Sequence, residues 1–423
     1  MTSGTTRSMP AAVPPGGSVL VVGGGVVGTS AAYALAKAGY AVTLVTAGQV
    51  GDGASAGNAG LLVPADSVVW PGPDNARAIP ATLLGRGGTI RVSWRNPATA
   101  GWGVRFLTRS TRRRYEASCR ATYALSVHSL AVAEHWSGGD PALSPRRTGI
   151  VFLLDTPDAV TQARRARSPL HETYVDVGGS DLATLDPAFA RLPAGLHALY
   201  APHAAQGDSQ AFARTLAERL VRCGATVVED LAVTSLASEH GRVAGADTAT
   251  GRVRADAVVL AAGAASRQLA RTVGVTADVL PVKGYSATVP LADPNSAPRI
   301  GGVLESAHMA FSRLGDRLRL STGAEIGRTD HVVDPAAAAT MRNAAELLFP
   351  GALEWEGAEY RAEHRPMTPH GLPLIGPTRA TGLFLDTGHG SLGWTQAAGS
   401  AALLVHLLRG TPPPIGASSF LPR

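Results

Sequence analysis

The feature that most constrains the fold of this chain is a glycine-rich turn near its amino terminus, Gly23-Gly24-Gly25-Val26-Val27-Gly28. The turn follows a short apolar run at residues 19–22 and opens an alanine-rich stretch at residues 26–39. A second apolar run comes next, at residues 41–45. Strand, glycine turn, helix and strand within about 30 residues make a βαβ unit, and a GxGxxG in that context predicts a dinucleotide-binding turn.

Each glycine of the GxGxxG pattern has a physical reason. Gly23 permits the tight turn, Gly25 lets the backbone approach a pyrophosphate, and Gly28 lets the helix lie close to the strand. Val26 and Val27 begin the helix, whose free N–H groups and positive dipole end favour a phosphate. The predicted fold class is therefore α/β.

The residue after the second strand is Thr46, where a dinucleotide-binding fold usually has a carboxylate that holds the ribose hydroxyls. A threonine hydroxyl makes one hydrogen bond but cannot form the two-oxygen clamp. No arginine stands nearby to favour a 2′-phosphate. We expect Thr46 to border the cofactor, and we expect the cofactor to bind less tightly than usual.

Three other stretches have a composition that suits a cofactor site. Residues 53–62 are small and polar, so their backbone can lie against a flat ring system. Residues 365–376 are rich in proline and glycine. Residues 387–395 form a second glycine loop that runs into an alanine-rich helix, which gives a second helix N-terminus suited to negative charge.

Length and charge limit the function classes. The chain has 423 residues, which exceeds the size of most single cores and predicts two domains. The net charge of +6 comes almost entirely from arginines that form no long tract, so we expect no nucleic-acid partner. The densest cluster, within residues 105–120, indicates a solvated helix face or, alternatively, a weak contact with an acidic membrane surface or a partner protein.

The cellular compartment is predicted from the cysteines and from missing signals. Cys119 and Cys223 show neither a CxxC spacing nor a disulfide framework, so we expect a cytoplasmic protein. Residues 1–17 lack the apolar run of a secretory signal and are expected to be a disordered lead-in. No apolar stretch reaches the roughly 18 residues that span a bilayer. We expect no metal site.

Beyond the βαβ unit, the hydrophobic pattern predicts further elements. Residues 47–75 are expected to be a long loop, residues 98–137 to be mainly helical, and residues 411–423 to be a loose tail. Helices are predicted at residues 208–223 and 394–409. Strands are predicted at residues 149–154, 226–228, 233–237, 243–246, 257–260, 317–321 and 383–385, and residues 233–237 and 243–246 are expected to form a hairpin.

Three phrases are more specific than the glycine turn: LPVKGYS at residues 280–286, RPMTPHGLPLIG at residues 365–376, and the segment that begins TGHGSLGWT at residue 387. With them the chain resembles the D-amino acid oxidase superfamily, and within it the small subunit of bacterial D-amino acid dehydrogenases. The matching stretches occur in the same order along nearly the whole chain.

The resemblance implies a fold of two parts. A discontinuous, Rossmann-like FAD-binding domain would comprise residues 18–95, 203–280 and 362–410. A substrate-binding domain with a large mixed β-sheet (an α+β feature) would comprise residues 96–202 and 281–361. The implied activity is FAD-dependent oxidation of an amino acid, with a D-amino acid expected, to an imino acid and then a 2-oxo acid. O₂, a quinone or another acceptor would take the electrons, in the cytoplasm or on the inner face of the membrane.

The resemblance also implies which residues contact FAD. Gly23, Gly25 and Gly28 would hold the pyrophosphate. The residues expected to line the flavin are Ser55, Asn58, Ala59, Gly60 and Leu61. Val233 would contact the adenine, and Ala262 and Gly263 would border the ADP part. The residues expected at the pyrimidine edge, where a helix N-terminus can stabilise developing negative charge, are Gly388, His389, Gly390, Leu392, Gly393, Trp394 and Thr395.

Three residues are candidates for the reaction itself. Arg365 matches the family's arginine before proline and would bind the substrate carboxylate, because a planar guanidinium forms two parallel hydrogen bonds with a carboxylate. A structural ion pair is the alternative role for Arg365. Tyr285 would lie near the flavin or the substrate, with a core tyrosine as the alternative. His308 is a weaker candidate, because a lone histidine is more often structural.

Departures from the family pattern leave two alternatives open. Arg361, Glu363, His364 and His370 all differ from the family's usual residues, and all fall on the expected substrate face. The first alternative is an enzyme that oxidises a secondary or cyclic amine, of the proline, hydroxyproline or N-methyl amino acid type, in a biosynthetic pathway. The second is a weakly active flavin-binding subunit that works with a protein partner.

Overall fold

The structure is a computed structural model that describes residues 13–83, 90–93, 96–141, 143–178 and 180–422. The α-helices of the described residues are α1 (Val26–Lys37), α2 (Pro73–Leu83), α3 (Ala98–Arg109), α4 (Arg112–Ser137), α5 (Pro157–Arg167), α6 (Ser180–Leu185), α7 (Ser209–Arg222), α8 (Ser266–Arg271), α9 (Pro335–Leu348) and α10 (Gly393–Arg409).

The strands of the described residues are β1 (Ser18–Val22), β2 (Ala41–Val45), β3 (Leu61–Leu62), β4 (Ile90–Val92), β5 (Ile150–Leu154), β6 (Val175–Gly178), β7 (His197–Ala201), β8 (Ala205–Gln206), β9 (Thr226–Val228), β10 (Val233–Glu239), β11 (Arg242–Thr248), β12 (Gly251–Arg254), β13 (Ala257–Leu260), β14 (Leu280–Pro290), β15 (Gly301–Leu304), β16 (Met309–Leu314), β17 (Arg317–Ile326), β18 (Glu359–Met367), β19 (Leu374–Pro377) and β20 (Leu383–Thr387).

A six-stranded sheet carries the glycine turn. Its order is β19-β20-β13-β1-β2-β9, and all neighbours are parallel except β19 and β20. Strands β1 and β13 are apolar at consecutive positions because both of their faces are covered. Helices α1, α7 and α10 pack on one face, and α8 with the small sheet β10-β11-β12 packs on the other.

A nine-stranded mixed sheet forms the second half of the molecule. Its order is β18-β14-β17-β16-β15-β5-β7-β6, with β4 added in parallel to β17. The pairs are antiparallel except β15 with β5 and β4 with β17. Helix α9 packs on one face with the apolar side chains of β14 and β17. The fold is therefore α/β with a large mixed sheet, as expected.

The βαβ unit and the predicted hairpin are confirmed, because β1, α1 and β2 and the antiparallel pair β10 and β11 lie where the pattern placed them. The prediction of one long loop at residues 47–75 was wrong. Strand β3 pairs with β8 inside it, and α2 begins at Pro73. The predicted helical region at residues 98–137 is two helices, because the chain leaves the helical conformation at Thr111.

The ends of the chain differ from expectation where they are described. Residues 1–12 lie outside the described residues. Val13 is buried, and its N–H donates to the carbonyl oxygen of Leu408, so order begins before Ser18. Residues 411–422, the described part of the expected tail at 411–423, are not loose, because the side chain of Phe420 is 1% exposed and its carbonyl oxygen accepts the N–H of Ile375. No helix of the described residues is long and apolar enough to cross a membrane.

The division into two domains stays a prediction. The strand β4, which falls in a segment expected to belong to the FAD-binding part, pairs with β17 of the nine-stranded sheet. Strand β18 belongs to the same sheet and crosses the expected boundary at residue 362. The chain therefore passes between the two large sheets several times.

Candidate active site

A cavity of about 1620 Å³ lies where the two large sheets meet. Pockets for one small ligand usually measure roughly 300–1,000 Å³, so this cavity has room for a dinucleotide together with a substrate. The glycine turn, the loop after β2 and the start of α10 line one part of it. Strands β14, β17 and β18 line another part.

The glycine turn approaches its neighbours as closely as the sequence predicted. Gly23 has φ +116°, and a Cβ added there would lie 2.5 Å from the carbonyl oxygen of Ala261. A Cβ added at Gly28 would overlap the carbonyl oxygen of Gly23, so Gly28 sets the closeness of α1 and does not itself line the cavity. The cavity-lining residues of the turn are Gly23, Gly24, Gly25, Val26 and Val27.

Thr46 lines the cavity at the end of β2 and is buried. Two polar residues that the sequence analysis did not consider, Gln49 and Asp52, line the cavity beside it. The Asp52 carboxylate accepts hydrogen bonds from the N–H of Gln49 (3.2 Å) and from Nε2 of Gln210 (3.2 Å). The cavity therefore has a carboxylate on the same side as Thr46, although this carboxylate comes from the loop after β2 and not from the end of the strand.

The small, polar loop after β2 is fixed at both ends. The Ser55 hydroxyl oxygen accepts the N–H of Val26 (2.9 Å), which is the first N–H of α1. Nη1 of the buried Arg319 donates to the carbonyl oxygen of Asn58 (2.8 Å) and to that of Ala56. Of the loop residues expected at the flavin, Ser55, Asn58, Ala59 and Leu61 line the cavity, together with Gly53, Ala54 and Gly57, whereas Gly60 does not. Arg319 gave no signal in the sequence, because nothing local marks its long-range contact.

The second glycine loop and the start of α10 form the opposite wall. Their cavity-lining residues are Thr387, His389, Gly390, Ser391, Leu392, Gly393, Trp394 and Thr395, whereas Gly388 does not line the cavity. The indole Nε1 of Trp394 is buried and has no hydrogen-bond partner among the described residues. A donor of this kind suits a polar ligand. Val233, Ala262 and Gly263 line the same cavity beyond the glycine turn.

A buried pair of titratable groups borders the cavity below this loop. His389 Nε2 lies 3.5 Å from Oδ1 of Asp386, and both side chains are almost fully buried. Burial raises the pKa of Asp386 well above its usual range and lowers the pKa of His389 to about 3. The His389 imidazole is therefore uncharged at neutral pH. Asp386 was missed at the sequence level, although a carboxylate in an apolar strand is a signal.

Arg365 presents its guanidinium to the cavity from β18. Nη1 donates to the carbonyl oxygen of Gly323 (2.7 Å), and Nη2 lies 3.5 Å from the hydroxyl oxygen of Ser321. No carboxylate among the described residues forms an ion pair with it, so the alternative role as a structural ion pair has no support. Burial lowers the pKa of Arg365 to about 10, which leaves the group charged at neutral pH.

A glycine on the neighbouring strand makes room for this guanidinium. A Cβ added at Gly284 would lie 2.5 Å from Cζ and 2.6 Å from Nη2 of Arg365. Real Cβ atoms essentially never come so close to another heavy atom. The VKGYS phrase therefore supplies the space in which the arginine side chain crosses β14.

Of the other two candidates for the reaction, one lines the cavity and one does not. His308 lines the cavity, in the turn between β15 and β16. Tyr285 does not line it, which differs from the expectation that it lies near the flavin or the substrate and agrees with the alternative of a core tyrosine. Its side chain is 3% exposed, and its hydroxyl donates to Oε1 of Glu325 (2.7 Å). Side chains alternate along a strand, so Tyr285 points to the face of β14 opposite to the one that Gly284 opens.

Two charged groups of the cavity wall were not predicted as a site. Glu363, noted only as a departure from the family, has its carboxylate 3.5 Å from Nδ1 of His331. Arg167 binds both Asp66 (2.9 Å) and Glu305 (2.6 Å), and all three residues line the cavity. They come from three distant segments, so no local pattern could bring them together.

Comparison with known proteins decides the family. The model of the family described as FAD dependent oxidoreductase (DAO) matches residues 18–407. The chain belongs to this family. D-amino acid dehydrogenase 2 of Mesorhizobium japonicum is 36% identical over 406 residues, which are 94% of this chain and 97% of that relative. D-amino acid dehydrogenase of Paramagnetospirillum magneticum is 34% identical over 93% of this chain and 95% of that protein.

Solved structures show the same fold at lower identity. Glycine oxidase from Geobacillus kaustophilus has a TM-score of 0.74 and 22% identity, over 96% of this chain and 99% of that one. Iminodiacetate oxidase from Chelativorans sp. BNC1 has a TM-score of 0.71 and 20% identity, over 96% and 98% of the two chains.

This FAD-dependent oxidoreductase has a cavity that fits its cofactor. The glycine turn is a cradle that added Cβ atoms would fill, and the N-terminus of α1 faces the space that a pyrophosphate needs. The orphaned Nε1 of Trp394 and the N-terminus of α10 offer further donors on the opposite wall. FAD is thus the cofactor, and the described residues can hold its two ends.

Proposed function

We propose that this FAD-dependent oxidoreductase oxidises an amino acid, with a D-amino acid as the substrate class, to an imino acid that water converts to a 2-oxo acid and ammonia. The names of the relatives at 34–36% identity support this proposal. The observation that carries it is the Arg365 guanidinium, which faces the cavity without an ion-pair partner among the described residues.

Arg365 would bind the α-carboxylate of the substrate. Its Nη1 already donates to the carbonyl oxygen of Gly323, which fixes the plane of the fork. The remaining N–H groups can form two charge-assisted hydrogen bonds with one carboxylate. Such bonds are stronger in a cavity from which water is excluded, because the effective dielectric constant is lower there.

Orientation is what the chain itself contributes to the rate. FAD, when bound, supplies the hydride acceptor at N5 of its flavin ring. The anchor at Arg365 would fix the carboxylate so that the Cα–H lies in line for transfer, and positioning of this kind lowers a barrier by several kcal/mol. The electrons would then leave for O₂, a quinone or another acceptor.

Replacing the anchor tests the proposal. In Arg365→Leu we expect kcat/KM for D-amino acids to fall about 150- to 5,000-fold, because a charge-paired carboxylate loses roughly 3–5 kcal/mol when its partner is removed. The absorption spectrum of bound FAD should remain. The matched control is Arg361→Leu on the same strand, whose exposed side chain does not line the cavity. Equal losses of kcat/KM in both variants would overturn the role of Arg365.

A further inference from the structure

The cluster of Asp66, Arg167 and Glu305 contains two carboxylates but only one guanidinium. The buried Arg167 uses Nη2 for one oxygen of each carboxylate, at 2.9 Å and 2.6 Å. Its guanidinium also lies 4.1 Å from the centre of the Phe152 ring, on the core side. Two carboxylates around one guanidinium leave a net charge of −1 when both are ionised.

The open oxygens of this cluster face the cavity. The side chains of Asp66 and Glu305 are 36% and 28% exposed, whereas that of Arg167 is 8% exposed. Oδ2 of Asp66 and Oε2 of Glu305 accept no hydrogen bond from the described residues. Both residues line the cavity, so these two acceptors border the space that the substrate would occupy, with the more buried Arg167 between them.

The remaining charges of this wall do not neutralise the cluster. Arg77 and Arg112 also line the cavity, but both are exposed, and each pairs with a carboxylate of its own, Asp74 (2.7 Å) and Glu116 (2.5 Å). Arg165 lines the same wall with an exposed side chain. Solvent screens such exposed charges, so they weaken the field of the cluster only slightly.

Small side chains line the cavity between the cluster and Arg365, the residue that would bind the substrate carboxylate. Ser321 lies beside the Arg365 guanidinium, and it pairs across the sheet with Ala310, which pairs in turn with Val303. All three line the cavity, and Glu305 follows two residues after Val303. The path from β17 to β15 crosses two strand spacings, or about 10 Å.

We propose that the substrate is an amino acid whose side chain ends in a cation, bound between Arg365 and the open carboxylate oxygens of Asp66 and Glu305. This inference rests on the proposed function and adds the substrate class. An amino acid with an extended lysine- or arginine-type side chain spans a distance of about 10 Å across Ser321, Ala310 and Val303. Its ammonium or guanidinium would complete the charge balance of the cluster and donate to both open oxygens.

The test compares two substrates that differ in this one group. Turnover of D-lysine and of D-norleucine, which has the same carbon chain without the amine, is measured on the FAD-loaded enzyme with an artificial acceptor. We expect kcat/KM to favour D-lysine by about tenfold or more, the factor that a charge-assisted hydrogen bond supplies. Equal or better turnover of D-norleucine would overturn the inference and leave the proposed function standing, whereas failure to oxidise any D-amino acid would refute both.

Variants locate the preference. Glu305→Gln and Asp66→Asn should each lower the ratio of kcat/KM for D-lysine to that for D-norleucine by about tenfold. The ratio is taken on one protein sample, so partial misfolding of a variant cancels. The matched control is Asp176→Asn. Asp176 forms an exposed ion pair with Arg164, which lies on helix α5 like Arg167, and neither Asp176 nor Arg164 lines the cavity. An unchanged ratio in both cavity variants would overturn the assignment.

Discussion

The space that Gly284 leaves for Arg365 makes a quantitative prediction. In Gly284→Ala the new Cβ would lie 2.5 Å from Cζ of Arg365, whereas ordinary contacts begin near 3.4 Å. The guanidinium must therefore move by about 1 Å while its charge is unchanged. A displacement of about 1 Å at a positioning group can cost about 100-fold, so we expect kcat/KM to fall by that factor, or about 2.7 kcal/mol.

The assay is steady-state turnover of a D-amino acid, with FAD content and thermal unfolding measured on the same sample. Gly284 has no positive φ, and the clashing atoms belong to the end of a flexible side chain, so the fold and the bound FAD should persist. Gly178→Ala is the matched control, because an added Cβ at that strand glycine meets nothing within 4 Å. Wild-type turnover in Gly284→Ala would refute the reasoning that the position of this guanidinium matters.

Three further variants test other parts of the structure. Gly28→Ala should lower stability by about 1–3 kcal/mol and reduce FAD content, since its Cβ would overlap the carbonyl oxygen of Gly23; thermal unfolding and the flavin absorbance measure this. Phe420→Ala should cost about 3–5 kcal/mol in urea unfolding, and a loss near zero would mean that residues 411–422 are not part of the core. Burial lowers the pKa of His389 to about 3, so the unfolded chain takes up a proton below about pH 6.5 that the folded chain refuses. Stability should therefore fall as the pH drops from 6.5 toward 3, and His389→Asn should lessen that fall; an identical pH profile would argue against a neutral, buried imidazole.

Local patterns predicted the parts of the fold that are local. The βαβ unit around Gly23 and the hairpin of β10 and β11 rest on neighbouring residues, and both are where the sequence placed them. The long strands β14 and β18 were not predicted as strands. They mix charged, polar and apolar residues because one face meets the core while part of the other lines the cavity. Helix α9 was missed as well.

The site depends even more on contacts between distant residues, which local sequence patterns do not predict. Arg365 was predicted from a motif, and the structure brings it to the cavity together with the glycine turn and the start of α10. Tyr285 belongs to a matching phrase as well, but the alternation of side chains along β14 turns it toward Glu325. The cluster around Arg167 joins segments separated by more than a hundred residues, and only the tertiary fold makes them neighbours.

The most direct test of the central claim is the visible absorption spectrum of the purified, FAD-loaded protein under anaerobic conditions, with matched D- and L-amino acids and a secondary amine. We predict oxidised flavin bands that the D-enantiomers bleach and the L-enantiomers leave unchanged. Bleaching by the secondary amine alone would contradict the account and favour an amine oxidase. A protein that binds no flavin, or whose flavin no D-amino acid reduces, would contradict it altogether.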